Sequence, residues 1–355
     1  MSLACRIDDM ETSVTHAMTP EEEVEALRNF QASTEARNAQ IDQEAKTGDE
    51  HTLDVTVHTH IPVLTFRYIN TTIPLVVIEA EVHYLWYTVI QGAKYWKAAN
   101  AKQDTLVRYL LHAKSKGTLT RPRETIKEDG DDNLDHQHGR LEVVPCSDGG
   151  KFWSDLPLFG QDLVAEWTNR YYQSDYDDDL RSNLAAFVGR LVSVGIYNGP
   201  AACVLSLFSE TLERPRPLVS APAADVVKGA NDAEAGTGLS IENLIHALRQ
   251  MLIYGEGSII VLSNDSVGVA DGNVPPDSSG LGELAIQSRL SSPGFNPDRW
   301  RFWIQRLEEL AQCEDEAVAG SARVCVNCMR YASEAIYGPL AGKPNWEAES
   351  ETGSS

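Results

Sequence analysis

The sequence predicts an all-α protein: an irregular multi-helix bundle, or an array of helical hairpins, with long acidic linkers. Three observations carry that prediction. Apolar residues recur at i, i+3, i+4 and i+7 through most of the chain, the spacing that gathers them on one helix face. Ser, Asp or Asn precedes many of these stretches and Gly or Pro follows them, as helix caps do. Between them lie runs rich in Gly, Ser, Pro and Asp, near residues 118–150, 216–239 and 263–293, which read as linkers. No fixed period of repeats is present, so a regular solenoid is not expected.

Taken in order, residues 1–72 read as an acidic, poorly structured N-terminal region. Thr19-Pro20 with Glu22 resembles a capping box, and Glu21 to Ala45 is expected as a solvated helix with nothing to nucleate a core. His51 to Ile69 is rich in Val, Thr, Ile and His and alternates weakly at Leu53, Val55 and Val57, so it reads as a strand or a loop. A single helical domain is expected over residues 73–340. Leu85, Trp86, Val89, Ala93 and Trp96 mark one helix, and Leu106, Leu110 and Ala113 the next, stopped by Lys114, Lys116 and Gly117. Leu163, Val164, Trp167 and Tyr171 share one side of another. The Asp-rich run Asp175 to Asp179 caps Leu180, Leu184, Phe187, Val188 and Leu191. After Gly199-Pro200 come Val204, Leu205, Phe208 and Leu212, and Ser240 caps Ile241, Leu244, Ile245, Leu248 and Leu252. Ala322, Cys325, Cys328, Met329, Ala332 and Ile336 form the last stripe, with an acidic tail over 341–355.

The best-punctuated helix begins at Asn296. Its side chain is placed to accept a first-turn N–H, Pro297 suits the first helical position, and Asp298 faces the positive end of the dipole. Phe295 and Trp300 are spaced as a hydrophobic staple. Trp300, Trp303, Ile304, Leu307 and Leu310 then form one stripe, carrying two of the seven tryptophans. Each indole can bury ~150–250 Å², worth about 4–6 kcal/mol before entropy is subtracted. Other helices are expected to pack around this one.

The net charge of −22 over 355 residues argues against nucleic acid as a partner and disfavours an anionic membrane surface. Leu191 to Phe208, without charge, comes nearest to a membrane span, but Asn198-Gly199-Pro200 interrupts it as a turn, so no membrane span is expected. Asp8, Asp9 and Glu11 at the start do not fit a secretory signal, and six cysteines without a regular framework fit a reducing compartment. Cytoplasm or nucleus is the expected location. The sequence fixes no oligomeric state.

Four segments resemble a fungal family known as domain of unknown function 3632. They are Leu85-Trp-Tyr-Thr-Val-Ile-Gln-Gly-Ala-Lys94 with Gln103-Asp-Thr-Leu-Val-Arg-Tyr-Leu-Leu111; Phe152-Trp-Ser-Asp-Leu-Pro-Leu-Phe-Gly160; Asn183-Leu-Ala-Ala-Phe-Val-Gly-Arg-Leu191 with Phe208-Ser-Glu-Thr-Leu-Glu213; and Gly294-Phe-Asn-Pro-Asp-Arg-Trp-Arg-Phe-Trp303, the most specific. Together they span about Leu85 to Ile336. The resemblance implies a largely helical protein of unassigned activity and transfers no catalytic residues.

The chemistry-bearing residues read mostly as structure. Cys325-Val-Asn-Cys328 lies in a helical stripe without a second thiol pair, so core cysteines are preferred to a dithiol or zinc site. His58-Thr-His60, and His136-Gln-His138 beside Asp131, Asp132 and Asp135, lack a rigid element to orient them as metal ligands. Gly236-Thr-Gly238 and Gly255-Glu-Gly257 have neither phosphate-loop spacing nor a preceding strand. No catalytic, metal or cofactor residue is assigned, and no cofactor is expected. Arg299, Arg301, Phe302 and Arg306 along the tryptophan helix form the one candidate interaction surface, since exposed aromatic and Arg side chains anchor interfaces. The sequence therefore predicts a non-enzymatic scaffold or protein-interaction module with other proteins as partners. The alternative is an enzyme with a site between helices. A deep pocket with converging titratable groups favours the enzyme, and an exposed apolar patch favours the scaffold.

Overall fold

A computed structural model describes residues 20–71, 73–122, 141–173, 176–219, 239–267 and 280–338. These residues form eleven α-helices and one antiparallel pair of two-residue strands, an all-α multi-helix arrangement. The chain divides into two units, Met1–Tyr171 and Tyr172–Ser355. This boundary falls inside the span 73–340 expected as a single domain, and the first unit takes in the N-terminal region as well.

In the first unit, α1 (Pro20–Thr47), α2 (Glu50–Asn70), α4 (Ala101–Ser115) and α5 (Phe159–Glu166) all pack on α3 (Leu75–Tyr95). The reason is that α3 is apolar round most of its circumference, with Ile78, Val82, Leu85, Trp86, Val89, Ile90 and Ala93 all buried. A helix of that kind needs neighbours on several sides. Strands β1 (Arg121–Pro122) and β2 (Leu141–Glu142) pair with Arg121 opposite Glu142.

Two N-terminal expectations are corrected. His51 to Ile69 is neither strand nor loop but most of α2. Leu53, Val57, Ile61, Leu64 and Tyr68 are buried, at helical spacing, and that face outweighs the strand preference of the Val and Thr residues. The alternation of Leu53, Val55 and Val57 misleads because Val55 is exposed. Nor is the region before residue 72 without a core: α1 contributes buried Ile41 and Ala45, and α1 and α2 both pack on α3.

The Phe152–Phe159 segment closes this core. Phe152 stacks on Tyr68 with ring centroids 4.3 Å apart. Trp153 donates its Nε1–H to Thr65 Oγ1 at 2.7 Å, and Trp86 donates to the Pro157 carbonyl at 2.8 Å. Trp153, Leu156 and Leu158 all take left-handed backbone, with φ of 64°, 50° and 65°. Such conformations cost about 1–3 kcal/mol each in non-glycine residues, and the burial of all three side chains offsets that.

In the second unit, α6 (Asp178–Ser193), α7 (Pro200–Phe208), α10 (Pro297–Leu310) and α11 (Glu316–Tyr337) pack on α8 (Ile241–Asn264), with the short α9 (Glu283–Gln287) beside the turn after α7. Helices α6 and α8 cross backbone to backbone at Gly189 and Gly255: a Cβ on Gly189 would stand 2.4 Å from the Met251 carbonyl oxygen. The uncharged stretch Leu191 to Phe208 splits as expected, α6 ending at Ser193 and α7 starting at Pro200. No helix among the described residues is long and apolar enough to cross a membrane.

The tryptophan helix α10 begins at Asn296, whose side chain accepts the Arg299 N–H at 2.8 Å. Trp300 and Trp303 are both buried. Trp300 donates to Ser333 Oγ at 3.0 Å, while Trp303 packs against Phe208 and, edge-on, Phe295.

Candidate functional site

Between α1, α3 and α5 the first unit holds a cleft of about 780 Å³, a volume typical of small-molecule sites. Glu79, His83, Tyr87 and Gln91 line it from α3. They are spaced by four residues, so they form one row along the helix, beside the face that buries Val82, Trp86 and Val89. Asn38 of α1 lies on another wall, with Asp162 and Glu166 of α5 and Arg170 of the following turn.

The position of α5 is set by the loop before it. Asp148 accepts the Leu158 N–H at 2.6 Å through Oδ2 and the Gly150 N–H at 2.9 Å through Oδ1. The helix therefore starts where the left-handed Leu158 turns the chain, which carries Asp162 to α3. The α5 helix then widens into a π-turn, Trp167–Tyr171, whose two end rings stack 3.8 Å apart. Turns of this kind recur at functional sites.

Here Asp162 meets His83. The imidazole Nδ1 lies 2.8 and 2.9 Å from the two carboxylate oxygens. An ionised carboxylate only accepts, so Nδ1 carries the proton and Nε2 is the free base in the neutral ring. Nε2 makes no hydrogen bond among the described residues, and the His83 side chain is 45% exposed. The hydrogen bond to Asp162 raises the imidazole above its ordinary value of 6.5, against the opposing effect of burial. Burial pushes the Asp162 carboxyl up, and His83 pulls it back. A carboxylate-held imidazole with one open nitrogen at a cleft wall is equipped to take and return a proton.

Several other polar groups of the cleft are tied inside the protein. Lys94 Nζ donates to Glu166 Oε1 at 2.7 Å, a pair that is almost wholly buried. Glu79 accepts the Ser147 N–H at 2.7 Å. Tyr87 donates to Asp42 at 2.7 Å, and burial raises its hydroxyl well above the usual range. Burial, reinforced by Glu79 and Asp148, pushes the nearby Cys146 thiol up to about 12, so it is no nucleophile near neutral pH.

The residues singled out from sequence lie elsewhere. Arg299 is fully buried in the second unit, its Nε donating to Glu213 Oε1 at 2.5 Å and its Nη2 to Oε2 at 2.9 Å. Trp303 Nε1, the Gly282 N–H and Ser209 Oγ bind the same carboxylate. Phe302 is also buried, Arg301 is exposed beside Asp298, and Arg306 pairs with Glu309. Cys325 is buried and Cys328 half-buried in α11. His58 and His60 both lie on α2, His60 bonding the Thr56 carbonyl of its own helix. Gly255-Glu-Gly257 is interior to α8. His136, His138, Asp131, Asp132, Asp135, Gly236 and Gly238 lie outside the described residues.

Sequence reasoning missed His83, Asp162 and the row on α3. A partial signal for the row was present: Glu79, His83, Tyr87 and Gln91 recur at a four-residue interval inside the mainly apolar stretch from Val76 to Ala93, though Glu81 and Thr88 lie off that row. Nothing in the sequence joined His83 to Asp162, 79 residues further on.

The profile of a family described as "Protein of unknown function (DUF3632)" matches residues 86–307. The match covers Asp162 and Glu166 and begins just after His83, on the same helix. A curated relative, "Oxopyrrolidines biosynthesis cluster protein G" of the fungus Penicillium oxalicum, is 25% identical over 260 residues, 72% of this chain and 66% of that protein. The chain thus spans slightly less than two thirds of that relative's length. No solved structure matches the chain.

Proposed function

The chain belongs to the DUF3632 family of proteins of unknown function, and from that premise we propose that it acts on a small organic molecule held between α1, α3 and α5, with His83 as the general acid–base group. The observation that carries this reading is the bond of His83 Nδ1 to both oxygens of Asp162, at 2.8 and 2.9 Å, which leaves Nε2 open on the wall of a cleft. Asp162 is a positioning residue: it fixes the tautomer and stabilises the imidazolium that forms when Nε2 takes a proton. The relative's name sets that protein in a biosynthesis cluster, which supports a small-molecule substrate here.

Two measurements test the reading. In ¹⁵N-histidine NMR, His83 is expected to titrate above 6.5 with Nδ1 protonated in the neutral form, and Asp162→Asn to lower that titration. In a deletion strain of the source organism, complementation with His83→Asn is expected to cut product formation by about 100-fold or more, the usual share of a positioned acid–base group. Full restoration of the metabolite profile by His83→Asn would sink the proposal.

A different observation favours the protein-interaction reading. The outer face of α2 exposes Val55, Val63 and Phe66, the last at 64%, and an apolar stripe of this kind is the sort that partners cover. Arg301 of α10, exposed beside Asp298, belongs to the same reading, while Arg306 is half-buried and paired with Glu309. Under it, Phe66→Ser abolishes function in the complemented strain while His83→Asn does not, the reverse of the outcome expected above.

A further inference from the structure

The carboxylates of the cleft are already matched within the protein, Asp162 with His83, Glu166 with Lys94, and Glu79 with the Ser147 amide, while Arg170 stands exposed at the wall. What the cleft also leaves unmatched is amide polarity. Gln91 lines it from α3, is only 2% exposed, and makes no hydrogen bond among the described residues. Asn38 lines it from α1, and its Oδ1 is buried without a hydrogen-bond partner. Buried polar atoms are nearly always bonded, so those left open in a cleft mark where a ligand's polar atoms belong. Around them stand the rings of Tyr84 and Tyr87 and the aliphatic side chains of Val76 and Ile90.

Resting on the reading of this cleft as a small-molecule site, we infer that its ligand presents a cis amide edge, an N–H beside a C=O as in a lactam ring. A primary amide such as Gln91 offers a donor and an acceptor side by side, and the group that satisfies both at once is another amide with its N–H and C=O on the same edge. Asn38 Oδ1 accepts a further N–H. A cationic amine, which has no acceptor, leaves the Gln91 N–H unmet. The ring of the lactam lies against the tyrosines and aliphatic groups.

The experiment uses the full chain and three probes of one shape, titrated by calorimetry: 4-phenylpyrrolidin-2-one, its N-methyl derivative, and 3-phenylpyrrolidine, which carries a cationic amine and no carbonyl. The lactam is expected to bind, and each of the other two at least about tenfold more weakly, because a site built to hydrogen-bond an N–H and a C=O rejects analogues lacking either. Gln91→Glu and Asn38→Leu are each expected to weaken lactam binding about tenfold or more, for the same reason. Asn38 is only half-buried, so its variant keeps the test decisive should Gln91→Glu misfold. Equal binding of the N-methyl lactam or the amine, or no binding of the lactam, overturns the inference. Tight binding of the amine alone rejects the lactam while leaving the acid–base reading intact, and the His83 titration decides that reading whatever the probes do.

Discussion

Glu213 concentrates the interior polarity of the second unit on one carboxylate. It is 0% exposed and takes hydrogen bonds from Arg299, Trp303, Gly282 and Ser209. Removing one partner of a buried ion pair leaves the other charge uncompensated, which typically costs about 3–5 kcal/mol. Glu213→Ala is therefore expected to lower unfolding free energy by that amount in urea titrations; a loss under about 1 kcal/mol would place water beside Arg299. Trp300→Ala empties a site where the indole is buried and bonded to Ser333, and should cost about 3–5 kcal/mol. His83 sets a pH signature. Its folded-state value is raised by Asp162, so its contribution to stability is full below the unfolded value of about 6.5 and fades as pH rises through the folded one. As a general base it gives the opposite trend: activity rises with pH on a limb above 6.5, and Asp162→Asn moves that limb to lower pH.

Among the elements, the α6–α8 crossing is the least forgiving. Gly189 and Gly255 let the two backbones touch, and Arg190 lies over the Tyr254 ring with its guanidinium carbon 3.4 Å from the centroid. Gly189→Ala must push α8 away because the obstacle is the Met251 carbonyl, backbone that cannot rotate aside. A loss of about 1–3 kcal/mol is expected, as for other overpacked contacts, read as a lower melting temperature; an unchanged one would show that the helices part without penalty. Gly257 on the same helix meets nothing within 4 Å, so Gly257→Ala is the matched control. Helix α2 teaches the converse lesson about sequence. It holds Pro62 inside its span, normally a helix breaker, yet its buried Leu53, Val57, Ile61, Leu64 and Tyr68 hold it in place.

At the scale of the molecule, charge governs encounters more than folding. A net charge of −22 repels phosphate backbones, so the protein is expected in the flow-through of a heparin column at about 0.1 M salt. Retention there would reveal a local basic face that the overall balance hides. The division into two units was not legible in the sequence, because helical periodicity reports that a face is buried and not which neighbour buries it.

Helix type, most helix starts and the interior place of Trp300 and Trp303 were determined by the sequence alone, since caps and apolar period are local properties. Asn296, Ser240 and Asp177 cap where their side chains allow. Only the tertiary structure decided that Arg299 faces Glu213, that residues 51–69 are helical, and that His83 and Asp162 share a hydrogen bond. Each of these depends on which distant segment arrives opposite, and pairing across 86 or 79 residues follows from packing of whole helices, about which no short stretch of sequence carries a signal.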